Sequence, residues 1–169
     1  MRLSFQTDYA LRTLMFLAAN DGHHSIATVA GAYGISNNHL MKVAQRLVME
    51  GFVESVRGRG GGLKLARAPA ELNVGDVVRT MEDTGTFVEC FNPAINSCVV
   101  TPACKLRRVI ADALEAFAHH FDQFTLADLV PDRAVYRKQL VKRATPDQPD
   151  PQYLSSALPS PARLPRFPS

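Results

Sequence analysis

The sequence predicts a mainly α-helical chain with one small β-hairpin, and three patterns carry that prediction. Two short helical periodicities, joined by a tight glycine-containing turn, occupy residues 25–48. Two alternating stretches flank the run Gly58-Arg59-Gly60-Gly61-Gly62, and an apolar stripe at three- and four-residue steps runs from Leu106 to Phe124. A helix-turn-helix followed at once by a hairpin is a winged helix, and the late stripe is a separate long helix.

Composition bounds the alternatives. With 46% hydrophobic and 21% charged residues, the 169-residue chain can bury an ordinary core, so wholesale disorder is excluded. No stretch approaches the ~18–20 apolar residues of a membrane helix, which excludes a transmembrane protein. Leu14 to Ala19 superficially suggests the apolar core of a signal peptide, which needs ~7–15 uninterrupted residues. Asp8 and Arg12 interrupt it. The same residues fit an amphipathic helix, with Leu11, Leu14, Met15 and Ala18 on one face, Thr7 as its cap and Asn20-Asp21-Gly22 as its stop. The expected location is therefore the cytoplasm, where thiols stay reduced and cysteines bind metals or do redox work.

Ser25 precedes Ile26, Val29, Ala30 and Tyr33, a short helix closed by Gly34. A second helix begins at Asn37, with Leu40, Val43, Ala44, Leu47 and Val48 on one side. In a helix-turn-helix this second helix enters the DNA major groove. Ser36, Asn37, Asn38, His39 and Lys42 are what it would present, Asn suiting adenine edges and Lys guanine or phosphate. The bland alternative is that these polar residues merely cap the helix.

Phe52 to Arg57 alternates as a half-buried strand, and Leu63-Lys64-Leu65 alternates again. The hairpin between them carries Arg57, Arg59 and Lys64, with Arg67 just beyond. Glycines around Arg59 permit close backbone approach to a narrow minor groove. Residues 36–67 hold six Lys and Arg against two acidic residues, whereas the whole chain has a net charge of only +3. The basic surplus thus sits where phosphates would be met. The glycine run matches neither nucleotide-binding fingerprint.

All three cysteines, Cys90, Cys98 and Cys104, fall in a polar loop over residues 81–104 and are spaced C-x7-C-x5-C. An odd count argues against a closed disulfide framework. Structural zinc sites usually contain at least one tight C-x2–4-C pair, and this loop has none. Wider spacing and soft thiolates suit an iron–sulfur cluster, while three buried structural thiols remain the plain alternative. Thr101-Pro102 looks like a helix start, which puts Cys104 in the first turn, where the helix dipole favours thiolate. A fourth ligand must come from solvent, a small thiol or elsewhere in the assembly, because His119 and His120 lie about four turns away. The absence of a CxxC pair or an organic-cofactor motif makes an enzyme or redox carrier the lesser reading.

The stripe Leu106, Val109, Ile110, Ala113, Leu114, Phe117, Phe121 and Phe124 exceeds what an ~80-residue winged helix needs to cover itself. It is either a core helix or a dimerisation helix, and paired recognition helices read half-sites about a turn apart. The expected division is a winged helix-turn-helix domain over 1–80, a cysteine loop over 81–104, a dimerisation helix and docking segment over 105–144, and a tail over 145–169. That tail holds seven of the eleven prolines and is expected to be disordered.

In order along the chain, Met1-Arg2-Leu3, Thr7-Asp8-Tyr9-Ala10-Leu11-Arg12, Tyr33 to His39, Val56-Arg57-Gly58, Gly61-Gly62, Gly75-Asp76-Val77-Val78-Arg79, Val99 to Cys104 and Phe124 to Leu129 resemble the Rrf-type iron–sulfur transcriptional regulators, closest to their nitric-oxide-sensing branch. The resemblance covers about residues 1–130. It implies a homodimeric repressor of nitric-oxide detoxification genes that binds double-stranded operator DNA, with nitric oxide as signal and no membrane. It also implies a cluster on Cys90, Cys98 and Cys104, [4Fe–4S] in preference to [2Fe–2S], with Asp8 of the partner subunit as fourth ligand. Arg12, at i+4, would pair with Asp8 whenever the iron releases it. Cluster-status regulators of the IscR type place histidine three residues after the last cysteine; here that residue is Arg107. The seven residues between Cys90 and Cys98 are more than these regulators usually have.

Overall fold

A computed structural model of the chain describes residues 3–58, 60–82 and 87–143; Arg59 and the proline-rich tail over 145–169 lie outside the described residues. Helix α1 spans Phe5–Ala19. Its cap is Ser4, not Thr7: the Ser4 hydroxyl accepts the Thr7 amide at 3.2 Å. Thr7 is itself buried. The helix is also wrapped more completely than a single amphipathic face implies. Tyr9, Ala10, Leu14, Phe16, Leu17, Ala18 and Ala19 are all buried, while Leu11 and Met15 are only partly so. The reason is that α1 is the central helix, touched from several sides, as an all-round apolar helix must be.

Helix α2 (Ile26–Tyr33) and helix α3 (Asn37–Met49) pack on each other, and α3 also packs on α1. Leu40, Val43, Ala44 and Leu47 of α3 are buried, whereas Val48, expected on the same face, is exposed. Strands β1 (Val53–Val56) and β2 (Gly62–Leu65) form the antiparallel hairpin, in register Val53↔Leu65 through Val56↔Gly62. Phe52 and Arg57 fall outside the strand. Only Val53 of β1 is buried, because the rest of the strand projects beyond the core and its alternation has nothing to bury against.

Helix α4 (Val74–Met81) is capped by Asn73, whose side-chain oxygen accepts the Gly75 amide at 2.8 Å. Helix α5 (Lys105–Phe121) ends three residues before Phe124, with Asp122 as its C-cap. Arg79 of α4 grips the Asp122 carboxylate at 2.5 and 2.6 Å, tying the far end of α5 to the domain. That guanidinium holds the Asp122 carboxyl below the usual carboxylate range. No residue of α5 is fully buried; Leu106 and Val109 are 63% and 61% exposed. A helix with so apolar a stripe and so little cover has an unpartnered face.

Beyond α5 the chain returns to the domain. Helix α6 (Leu126–Leu129) buries Leu126, and helix α7 (Arg133–Arg143) lays Tyr136 and Leu140 against the core. No helix among the described residues is long and apolar enough to cross a membrane.

Candidate nucleic-acid interface and thiol loop

The turn between α2 and α3 is built by Gly34 at φ 66°, a left-handed conformation that glycine adopts without steric cost. The Ile35 amide then bonds back to the Ala30 carbonyl at 2.9 Å, and the buried Ile35 side chain fixes how the chain enters α3. Burial of Leu40, Val43, Ala44 and Leu47 turns the opposite face to solvent. Asn37, Asn38, His39 and Lys42 are exposed there, with Ser36 half-buried at the start. Met41 and Gln45 share that exposed surface. Their spacing from Asn38, three and seven residues on, already puts both on this face.

The capping alternative can be tested on Ser36. It occupies the N-cap position, yet its side chain makes no capping hydrogen bond. Ser25, by contrast, accepts the Thr28 amide at 3.0 Å and does cap α2. Ser25→Ala is therefore expected to cost about 1 kcal/mol of folding stability and Ser36→Ala only a few tenths, as read from thermal melts. Equal losses would mean that the Ser36 hydroxyl caps after all.

Asn20, at the end of α1, leads into a segment that pins the wing. His24 and Leu63 exchange backbone hydrogen bonds at 2.9 and 2.8 Å, giving β2 a second, one-residue partner beside β1. On the hairpin Arg57 is exposed, whereas Lys64 is held by Glu54 directly across the ladder at 2.8 Å. Lys64 thus presents a neutralised pair rather than the bare charge expected of it; the cause is its antiparallel register with Glu54. Arg46, inside the basic segment, points away from this surface: it donates to the Thr80 and Met81 carbonyls and so caps the end of α4.

Cys90 lies in a 3₁₀ turn over Glu89–Phe91, and Cys98 follows Asn96, whose side-chain oxygen accepts both the Cys98 amide and the Thr101 hydroxyl at 3.2 Å. Thr101-Pro102 opens a separate 3₁₀ turn over Thr101–Ala103 rather than the long helix. Cys104 is consequently the N-cap of α5, not a first-turn residue, because its extended backbone (ψ 106°) breaks the path between the two. It still faces the positive end of the helix dipole. Arg107, one turn on, donates to the Cys90 carbonyl at 3.1 Å and lies over the Phe91 ring, strapping the loop to α5.

All three cysteines are free thiols of intermediate burial. Their chemistry fits an iron–sulfur cluster in kind: soft, unpaired sulfur donors on one loop, one of them at a helix N-terminus. Among the described residues no group of three His, Cys, Asp or Glu is gathered closely enough to hold a metal ion. Asp8 lies in the first turn of α1, closed in a two-point ion pair with Arg12 at 3.0 and 2.9 Å. The Arg12 guanidinium in turn sits 5.9 Å over the Tyr33 ring at the end of α2. Tyr33 shares a 2.9 Å hydroxyl contact with Tyr136, and its burial pushes the phenol well above its ordinary range. His119 contacts Asp122, and His120 packs on Phe121 and Phe124, so both stay clear of the thiol loop.

Comparison with known proteins fits this geometry. The family model Rrf2, described as an iron-dependent transcriptional regulator, matches residues 3–132. The HTH-type transcriptional regulator NsrR of Geobacillus kaustophilus is 46% identical over 145 residues, 85% of this chain and 99% of that protein. NsrR of Bacillus subtilis is 47% identical over 142 residues, covering 83% and 97%. Among solved structures, T. potens IscR superposes with a TM-score of 0.61 at 26% identity, covering 78% of this chain and 88% of that one. CymR, the global cysteine regulator of B. subtilis, gives 0.58 at 26% identity, covering 78% and 97%.

Proposed function

The chain belongs to the Rrf2 family of iron-dependent transcriptional regulators, and from that premise we propose a nitric-oxide-responsive repressor that holds operator DNA as a homodimer while an iron–sulfur cluster is bound. The observation that carries the proposal is the pairing, in one chain, of an exposed polar recognition face on α3 with three free thiols on the loop leading into the uncovered helix α5.

Ser36, Asn37, Asn38, His39 and Lys42 read the major groove, and Arg57 and Arg59 of the wing meet the minor groove or its phosphates. Lys64 serves there only if Glu54 lets it go. The stripe along α5 pairs two protomers, burying Leu106 and Val109 against their mates. Cys90, Cys98 and Cys104 hold the cluster, [4Fe–4S] in preference to [2Fe–2S], and Asp8 of the partner subunit completes the ligand set. When bound there, the group would supply iron open to nitric oxide, and the Asp8 carboxylate, the hardest donor of the set, would be its weakest ligand. Arg12 would donate to the carboxylate once released, and the two-point pair between Arg12 and Asp8 within one chain supports that reading. Because Arg12 also lies over Tyr33, moving Asp8 disturbs the end of α2 from which α3 is launched. A change of ~1.4 kcal/mol in favour of one arrangement shifts operator affinity tenfold.

Asp8→Ala is the test. The expected result is weaker cluster retention, at least about a tenfold loss of operator affinity in the iron-loaded protein, and a blunted response to nitric oxide. Cluster loading, affinity and response all at wild-type level would remove Asp8 from the mechanism.

A further inference from the structure

We propose that α7 is an auxiliary DNA-contacting element, laying Arg137 and Lys138 on the phosphate backbone beside the helix-turn-helix. The inference rests on the DNA-binding function and adds a surface to it.

The composition of α7 is the first observation. Over Arg133–Arg143 it carries Arg133, Arg137, Lys138, Lys142 and Arg143 and no acidic residue. Helices lacking i,i+4 acidic partners gain nothing from such a run, since like charges on neighbouring turns repel. A polyanion is the ligand that turns this liability into affinity.

Its place is the second. The helix is docked rather than dangling. Tyr136 meets Tyr33 hydroxyl to hydroxyl at 2.9 Å, and Arg133 grips Asp21 at 2.6 Å while reaching the Ala19 carbonyl at 3.4 Å. Tyr33 is the last residue of α2, three positions before the Ser36 N-cap of α3. The basic helix is thus docked on α1 and on α2, the helix that leads into the recognition helix. Tyr136 and Leu140 face inward, which turns Arg137 and Lys138 outward, and both are exposed. Among the described residues neither forms a salt bridge within contact distance; Asp21, the carboxylate facing this end of α7, is already engaged by Arg133.

The apolar content argues against a membrane surface as the occupant. Val135 and Val141 are exposed but isolated within the basic face. An interfacial helix needs a continuous apolar side, and the inward Tyr136 and Leu140 are already committed to the core.

The test is the salt dependence of DNA affinity, measured by fluorescence anisotropy on a labelled duplex selected from a random-sequence pool by the full chain. Each phosphate contact contributes about 0.9 to the slope of log affinity against log salt, so Arg137→Ser/Lys138→Ser is expected to lower it by about 1.8 per bound protomer. Across a fourfold rise in salt the variant then loses about tenfold less affinity per protomer than the wild type does. The swap Arg137→Lys/Lys138→Arg keeps the charges and should keep the slope. An unchanged slope in the neutralised variant, with wild-type binding otherwise intact, overturns the role of α7 alone. Failure of the wild type to select any duplex would overturn the DNA-binding function itself. An acidic protein as the true partner of α7 would show as the unchanged slope.

Discussion

Gly62→Ala is expected to lower the melting temperature by about 6–12 °C and to weaken operator binding at least about tenfold. Gly62 sits at φ 149°, and a Cβ added there would lie 2.6 Å from the His24 carbonyl carbon and oxygen and 2.9 Å from its nitrogen. These are backbone atoms that cannot swing aside. The only relief is to part β2 from His24, which breaks the two backbone hydrogen bonds at 2.9 and 2.8 Å that pin the wing. Backbone strain of ~1–3 kcal/mol and two lost hydrogen bonds of ~1 kcal/mol each together give about 3 kcal/mol or more. Gly60 is the control. It too has positive φ, at 82°, but a Cβ there would meet nothing within 4 Å. Gly60→Ala should therefore cost only the backbone strain, about 1–2 kcal/mol. Similar melting points for the two variants would show that the wing does not depend on its contact with His24.

Cys104→Ser should abolish iron retention and reduce operator affinity about a hundredfold or more, while leaving the fold intact. A serine hydroxyl is a poor soft-metal ligand, so the donor set drops to two thiols. Yet Cys104 is the N-cap of α5 and makes no side-chain capping bond, and serine is among the best residues for that position. Folding stability of the metal-free variant should accordingly equal that of the metal-free wild type or exceed it by about 0.5–1 kcal/mol. Loss of iron without loss of stability separates a ligand from a structural thiol. A marked fall in melting temperature, with iron retained, would assign Cys104 to packing.

What the sequence made visible follows from which features are local. The Ser25 cap, the Gly34 turn and the buried set Leu40, Val43, Ala44 and Leu47 depend on spacing within a few residues, and all were legible. The exposed face of α3 followed from the buried one. A cap is ambiguous where two hydroxyls compete: Ser4 and Thr7 both suit the start of α1, and the burial of Thr7 decides between them. The sequence places Cys104 one step too deep because Thr101-Pro102 suits a 3₁₀ turn as well as an α-helix start. Nothing local shows a contact between distant segments. The Lys64–Glu54 pair needs the hairpin register, Arg79–Asp122 spans 43 residues and Tyr33–Tyr136 spans 103. The role of α7 was hidden for the same reason, since its basic run has meaning only once Tyr136 places it beside α2.

Native mass spectrometry of the oxygen-protected full chain, bound to a duplex of its own selection and recorded before and after nitric oxide, tests the regulatory mechanism most directly. The expected complex has the mass of two chains, their iron and sulfide and one duplex, and the gas should dissolve it into free DNA and altered protein. A complex that carries no iron and survives the gas unchanged would contradict a cluster-governed grip on DNA.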